Sequence, residues 1–237
     1  MIHIVYTPKW FYGEDIAIDL LSSLVLAVIA FFAIRYYNID RKKNYLYLAL
    51  SFLAIAFSFL FKIATNFTVY YMVHETRELG QYTLVSSTVR TTNAMFFFSF
   101  LLYRLLTLLG LYALYSVYEK NQSTSTKIMT VFFILVSTYF SESSYYIFHL
   151  TAFMLLAIIT VHYFLHYRKN RQQTSKFLAI SFALICISQI FSIFFEWNRV
   201  LYVVAEMIQL VGYLVLMFTF VKVLRNAKKK EQARYNH

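Results

Sequence analysis

Proline is nearly missing from this chain: Pro8 stands alone among 237 residues. That excludes collagen-like and proline-rich disordered classes, and it leaves every long apolar run after Pro8 uninterrupted. One cysteine, Cys186, excludes a disulfide-stapled secreted domain. Four glycines leave no glycine-rich loop to cradle a phosphate. Charge is also scarce, at 14% of residues, where a soluble domain carries about 25%. Acidic residues number 11 against 22 basic ones. What fills the chain instead is hydrophobic side chains, 60% of it, and aromatics, 20%. A membrane protein is the class that remains.

A bilayer core about 30 Å thick needs about 20 largely apolar residues per helical crossing. Seven runs qualify, near residues 16–37, 45–66, 91–118, 127–141, 145–167, 176–195 and 200–223. The fourth is short, covering only about 22 Å at the helical rise. Charge argues that it crosses all the same. With seven crossings and the N-terminus outside, the inner segments hold 16 of the 22 basic residues, including Arg41, Lys42, Lys43, Arg168, Lys169, Arg171 and the tail from Lys222 to Arg234. Lys9, Arg77, Arg90 and Arg199 fall outside, and Lys62 and Arg104 lie within spans. If run four did not cross, RKNRQQTSK and the basic tail would both face outward, against the positive-inside rule. The start, MIHIVYTPKWFYGEDI, lacks the basic n-region of a signal peptide.

A shift of 130 aligns runs one and two with runs five and six. LALSFLAIAFSFLF at 48–61 meets LAISFALICISQIF at 178–191, and upstream Leu26, Ala27, Ile29, Tyr37 and Arg41 recur at Leu156, Ala157, Ile159, Tyr167 and Arg171. A shift of 102 extends the match to run three, pairing Leu108, Gly110, Leu114 and Lys120 with Leu210, Gly212, Leu216 and Lys222. The two glycines are expected to permit close helix contact. The expected organisation is a single membrane domain over 1–237: repeat one at 14–120, a linker helix at 121–142, repeat two at 143–224, and a basic cytoplasmic tail at 225–237.

That three-one-three plan resembles the seven-helix superfamily of sugar-efflux (SWEET) and PQ-loop transporters, the KDEL receptor and microbial rhodopsins. The resemblance implies an all-α fold of seven transmembrane helices with parallel three-helix repeats, an outside N-terminus and an inside C-terminus. It carries over no site residue. The Pro-Gln pair is absent, and VVAEMIQLVGYLVLMFTF in run seven holds no lysine for retinal.

Ionisable side chains inside a span cost at least about 2.5–3.5 kcal/mol at mid-bilayer and must face protein or water. Lys62 and Arg104 are the basic ones; Asp19, Glu206 and, at the rim, Glu196 are the acidic ones. Under the two shifts, Arg104 falls on Glu206, Thr107 on Gln209, Asp19 on His149, Lys62 on Ser192 and Asn66 on Glu196. Arg104 with Glu206 is the expected direct pair. Helical spacing gives polar stripes of Asn93, Arg104 and Thr107, and of Tyr202, Glu206, Gln209 and Tyr213. The candidate ligand site is therefore Asp19, Lys62, Asn66, Arg104, Thr107, His149, Glu206 and Gln209, a pocket opening outward. In it Arg104 and Lys62 would hold an anionic group, and Glu206, Asp19 and Gln209 a cationic or hydroxylated one.

Other polar residues read more plainly. His162 and His166 have metal-ligand spacing without a visible third ligand, so no metal and no cofactor are expected. Tyr36, Tyr37, Tyr70, Tyr71, Tyr145, Tyr146 and Tyr167 read as an interfacial belt, and Cys186 as apolar packing. Asn121-Gln122-Ser123 matches a glycosylation pattern but falls on the inner side. The expectation is a multi-pass receptor or sensor of the cell membrane that binds a small polar ligand or ion. A small-solute transporter and a non-catalytic assembly subunit are the alternatives. The expected partners are the bilayer, the ligand and a cytoplasmic protein, with no nucleic acid. With no nucleophile–base pair in view, an enzyme is not expected.

Overall fold

The structure, a computed structural model, describes residues 2–5, 7–71, 75–79, 82–86, 90–119 and 123–235, with side chains at 7–8, 10–38, 41–70, 94–117, 119 and 123–223. Each apolar run becomes a helix: α1 Glu14–Asp40, α2 Lys43–Tyr71, α3 Arg90–Tyr118, α4 Thr124–Phe140, α5 Tyr146–Asn170, α6 Gln173–Ile193 and α7 Val200–Tyr235. Six of the seven are long and apolar enough to cross a membrane. The exception, α4, has 17 residues and spans about 26 Å. Its start is fixed by Ser123, whose hydroxyl accepts from the Thr126 N–H at 3.1 Å, a standard N-cap. Helix α7 continues through the basic tail as far as Tyr235.

A small sheet accompanies the helices, and no apolar pattern announces it. β1 (Ile2–Val5), β2 (Glu75–Leu79) and β3 (Tyr82–Ser86) pair antiparallel in the order β1-β3-β2, with Ile2 and Glu75 both opposite Ser86. The sheet ties the N-terminal segment to the α2–α3 connection. The bundle therefore has a sheet end, and an opposite end carrying the 41–42 and 171–172 connections.

Helix termini repeat across the chain. Helix α1 ends where Arg41 turns left-handed (φ 53°) and its N–H caps Tyr37 O. Helix α5 ends where Arg171 does the same (φ 52°) on Tyr167 O. A left-handed non-glycine residue costs about 1–2 kcal/mol, so the caps are specific features rather than frayed ends.

Packing repeats as well. Helix α2 packs between α1 and α3, and α6 between α5 and α7; the two triplets meet through α1 with α7 and α3 with α5, while α4 leans on α3 and α5. Both glycines lie in close helix contacts, as expected. A Cβ on Gly110 would sit 2.6 Å from Ile55 Cγ1 and 3.0 Å from Ser51 O. One on Gly212 would sit 2.6 Å from Ile185 Cγ1 and 3.3 Å from Ser181 O. Buried residues follow suit: Ser51, Phe52, Ile55 and Ser58 on α2, and Ser181, Phe182, Ile185 and Ser188 on α6. In lipid such seams are held by close van der Waals packing, since the tails are as apolar as the side chains. Outward-facing Phe31, Phe57, Phe98, Phe164 and Phe218 are exposed, a surface suited to hydrocarbon and not to water.

Candidate functional site

Polar side chains converge at the sheet end. On α1, a helical turn separates Asp15 from Asp19, and both are fully buried. Lys62, near the end of α2, reaches between α1 and α7. Its Nζ lies 2.8 Å from Asp19 Oδ1 and 2.6 Å from Glu206 Oε1. All three are buried, at 0% exposure for Asp19, 6% for Lys62 and 7% for Glu206. Two carboxylates thus share one ammonium, and Asp19 Oδ2 has no partner among the described residues.

Around this triad runs a second layer. Asp15 caps the start of α1 through Oδ1, accepting from the Gly13 and Ile16 N–H groups at 3.1 and 2.9 Å. Its Oδ2 accepts from Asn66 Nδ2 at 3.0 Å and from the Tyr70 hydroxyl at 2.7 Å. Tyr70 also reaches the Thr7 hydroxyl at 2.7 Å and stacks on Tyr12 at 4.1 Å. One acid thereby joins the helix start, the end of α2 and the N-terminal segment.

Arg104, on α3, stands apart from the triad, and the expected pair with Glu206 is not formed. Glu206 goes to Lys62 instead. Arg104 is 0% exposed. Its Nη1 donates to the Ser141 carbonyl just after α4, which supplies a donor to the orphan carbonyls of a helix end. Its Cζ sits over the ring of Phe100 at 3.6 Å and near those of Tyr145 and Phe148 at 4.7 and 5.4 Å. Nε and Nη2 have no hydrogen-bond partner among the described residues. Glu142, in the turn after α4, is exposed and forms no ion pair with it.

The physical reason is that a sequence match compares positions and carries no distances. Glu206, on α7, meets Lys62 of α2 beside α1, while Arg104, on α3, meets Ser141 after α4 and the rings of Tyr145 and Phe148. The two residues sit at separate helix contacts.

Lys62 and Arg104 share a cavity of about 120 Å³ at the sheet end, whose walls include Thr65, Asn66, Tyr70, Phe100, Tyr145 and Tyr202. Of the eight expected site residues, Asp19, Lys62 and Glu206 form the triad, while Asn66 and Arg104 join Lys62 at the cavity. Thr107 and Gln209 instead face a smaller void of about 20 Å³ deeper in the bundle. There Thr107 donates to Ser58 Oγ or Tyr103 O, each at 2.8 Å, and Gln209 Nε2 donates to the Tyr213 hydroxyl at 3.1 Å. His149 is buried in the other triplet, its Nδ1 2.8 Å from Gln189 Oε1 and its Nε2 without a partner among the described residues. The side chain of Asn93 lies outside the described residues, as does Asn121.

Several contributors escape a reading of the sequence. Asp15 is one of them, although its place four residues before Asp19 on the same face is a signal that could have found it. Tyr70 and Tyr145 read as interfacial belt, yet both line the cavity. An aromatic at a span end has the same sequence signature whichever way it faces. Elsewhere Cys186 is buried and free, and His162 and His166 are exposed. Among the described residues no group of three metal-ligating side chains occurs. Compared with models of protein families, with curated proteins and with solved structures, the chain matches none.

Proposed function

We propose that the chain is a seven-helix membrane receptor or sensor that binds a small polar ligand in an intramembrane pocket at the sheet end. The observation that carries the reading is Arg104: a fully buried guanidinium with two nitrogens unpartnered among the described residues, beside a cavity. Native structures leave very few buried polar groups unsatisfied, and those few call for an explanation. A ligand that enters and leaves supplies one.

Orientation follows from charge. The sheet end faces outside and the opposite end, with most of the Lys and Arg, faces the cytoplasm. This requires α4 to cross, with its roughly 26 Å supplemented by flanking residues or thinned lipid. The matched glycine seams and the matched Arg41 and Arg171 caps support two parallel three-helix repeats joined by α4. Below the cavity, Phe52, Ile159, Phe182 and Leu216 are buried and fill the core, and the long helices are unbroken by proline. Both favour a stiff bundle that reads out occupancy over one that passes solute.

A small-solute transporter, rocking one triplet against the other, is the second reading. It is favoured by the way the triplets meet chiefly through two helix pairs, α1 with α7 and α3 with α5, with a void of about 20 Å³ inside the bundle and a cavity of about 170 Å³ among Tyr36, Tyr45, Tyr163 and Thr219 toward the opposite end.

Cysteine accessibility tests the pocket. With Cys186 replaced by serine, Thr65→Cys is expected to react with a membrane-impermeant thiol reagent applied from the N-terminal side. Reaction only from the opposite side would overturn the orientation, and no reaction from either would overturn the pocket. Vesicle flux separates the two functions: concentrative uptake lost on Glu206→Gln would replace the receptor reading with the transporter.

A further inference from the structure

Resting on that pocket reading, we infer that its ligand is a small organic anion, a carboxylate on an apolar body, held by the unpartnered edge of Arg104. The two cations of the cavity are not equivalent. Lys62 is already matched by two carboxylates, Asp19 and Glu206. An incoming anion would meet net negative charge there. Arg104 has no carboxylate partner among the described residues. Its bond to the Ser141 carbonyl occupies Nη1, and the rings of Phe100, Tyr145 and Phe148 cover its faces. Rings lower the cost of a buried cation but accept no N–H in its plane. Nε and Nη2, the two atoms left over, lie on one edge of the guanidinium, and that edge is the fork that takes a carboxylate through two parallel hydrogen bonds.

Comparison of the triplets makes the missing partner specific. Asp19, Lys62 and Glu206 correspond by position to His149, Ser192 and Arg104. In the first set the acids are built in. In the second the acidic positions are taken by His149, whose Nε2 is unpartnered among the described residues, and by Arg104 itself. Ser192 spends its hydroxyl on the Ser188 carbonyl at 3.0 Å. So one interface carries its own carboxylates, and its counterpart presents the two unpartnered nitrogens of Arg104 and no acid, His149 donating through Nδ1 to Gln189 Oε1. A carboxylate from outside would complete the second as Asp19 and Glu206 complete the first.

Size and wall chemistry set the rest of the ligand. A dry cavity of about 150 Å³ takes up benzene, and this one measures about 120 Å³ with Phe96, Phe100, Tyr103, Tyr145, Phe195 and Tyr202 in its walls. A single ring or a short chain therefore matches the space.

The test uses the purified full chain in lipid nanodiscs, titrated calorimetrically and by thermal melting with acetate, butyrate and benzoate, and with benzyl alcohol and benzylamine as shape-matched neutral and cationic probes. Carboxylates are expected to bind, butyrate or benzoate best, and to raise the melting temperature, with benzyl alcohol at least tenfold weaker and benzylamine silent. Arg104→Gln is expected to weaken carboxylate binding at least tenfold. Should that variant fail to fold, Arg104→Lys keeps the charge and a donor for Ser141 but lacks the fork, and at least a fivefold loss is expected. Equal binding of the alcohol, preference for the amine, or carboxylate affinity unchanged in an Arg104 variant would overturn the anion while leaving the pocket standing. Failure of every carboxylate to bind a protein whose Thr65→Cys form is labelled from outside would do the same.

Discussion

The α1–α3 and α5–α7 triplets share their seams and differ in their polar cargo. Gly110 meets Ile55 and Gly212 meets Ile185 at the same distances, 2.6 Å from the place of a Cβ to Cγ1 and 3.3 Å to the isoleucine N. Where the first seam ends in Lys62 with its two acids, the second ends in Ser192, Gln189 and His149, with no ion pair among the described residues. The positions that repeat are those at which backbones approach, where a change of one methyl group is felt. The positions that differ lie toward the sheet end, where Lys62 lines the cavity and its carboxylates stand behind it. Packing and chemistry have been separated along the helix axis, with the matched core below and the unmatched polar groups above.

The sharpest way to break this comparison is to remove the charge that only one triplet has. Lys62→Met leaves Asp19 and Glu206 buried together without a cation. Loss of one partner of a buried ion pair costs about 3–5 kcal/mol, so denaturant unfolding in detergent should show a larger loss here than at any other single site. The equivalent Ser192→Ala removes only a hydroxyl bonded within its own helix and should cost less than about 1 kcal/mol. Adding Asp19→Asn and Glu206→Gln to Lys62→Met should restore most of the loss. If the Lys62 and Ser192 variants unfold alike, the triad contributes nothing that its counterpart lacks.

Arg104→Met should cost less than Lys62→Met, about 1.5–3 kcal/mol, the worth of a hydrogen bond to a charged group. It removes one charge-assisted bond to the Ser141 carbonyl and strands no counter-charge. A loss as large as that of Lys62→Met, measured in the same unfolding assay, would reveal an acid partner for Arg104 and close the site by structure alone.

What is legible in the sequence depends on the kind of signal each feature leaves. Hydropathy marks the six long helices because a span must be apolar along about 20 residues whatever its neighbours, and it marks α4 as a shorter apolar run. The cost of ionisable groups in lipid marks Asp19, Lys62, Arg104 and Glu206. Pairing is not legible, since the internal match relates equivalent residues and gives no distances between them. Nor is the sheet: ETREL and YTLVS are five residues each, and their third strand lies at the N-terminus beyond two whole helices, a non-local pairing with no periodic trace. Tyr70 and Tyr145 mislead because facing is decided by helix rotation, and weakly amphipathic helices do not declare theirs.

Overpacking probes the shared part of the comparison. Gly110→Ala and Gly212→Ala each force a Cβ to within 2.6 Å of an isoleucine Cγ1, a branched side chain that cannot swing aside freely. Each should cost about 1–3 kcal/mol in thermal or denaturant unfolding. Gly110 should be slightly the worse, because Ser51 O stands at 3.0 Å where Ser181 O stands at 3.3 Å. A cost at one glycine more than double that at the other would mean that the two seams are not mechanically equivalent.

The smallest expected effect lies where the triplets are related by exchange. Ser23 on α1 donates to the Ala56 carbonyl on α2 at 3.0 Å. A shift of 130 takes Ser23 to Phe153 and Ala56 to Cys186, and there the bond runs the other way, from Cys186 Sγ to the Phe153 carbonyl at 3.7 Å. One polar link thus joins the first helix pair of each triplet at the same level, with donor and acceptor exchanged. An interhelical hydrogen bond in lipid is worth about 0.6 kcal/mol on average. Ser23→Ala should therefore cost about that much. Cys186→Ser, which offers a harder donor at an occupied site, should change stability by less than about 0.5 kcal/mol in either direction. The same serine variant is the background for thiol labelling of the pocket, so its melting curve has to match the parent's before any label is read. A melting temperature well below the parent's would show that the link needs sulfur's longer reach to span α5 and α6, and that the two helix pairs are set at different spacings.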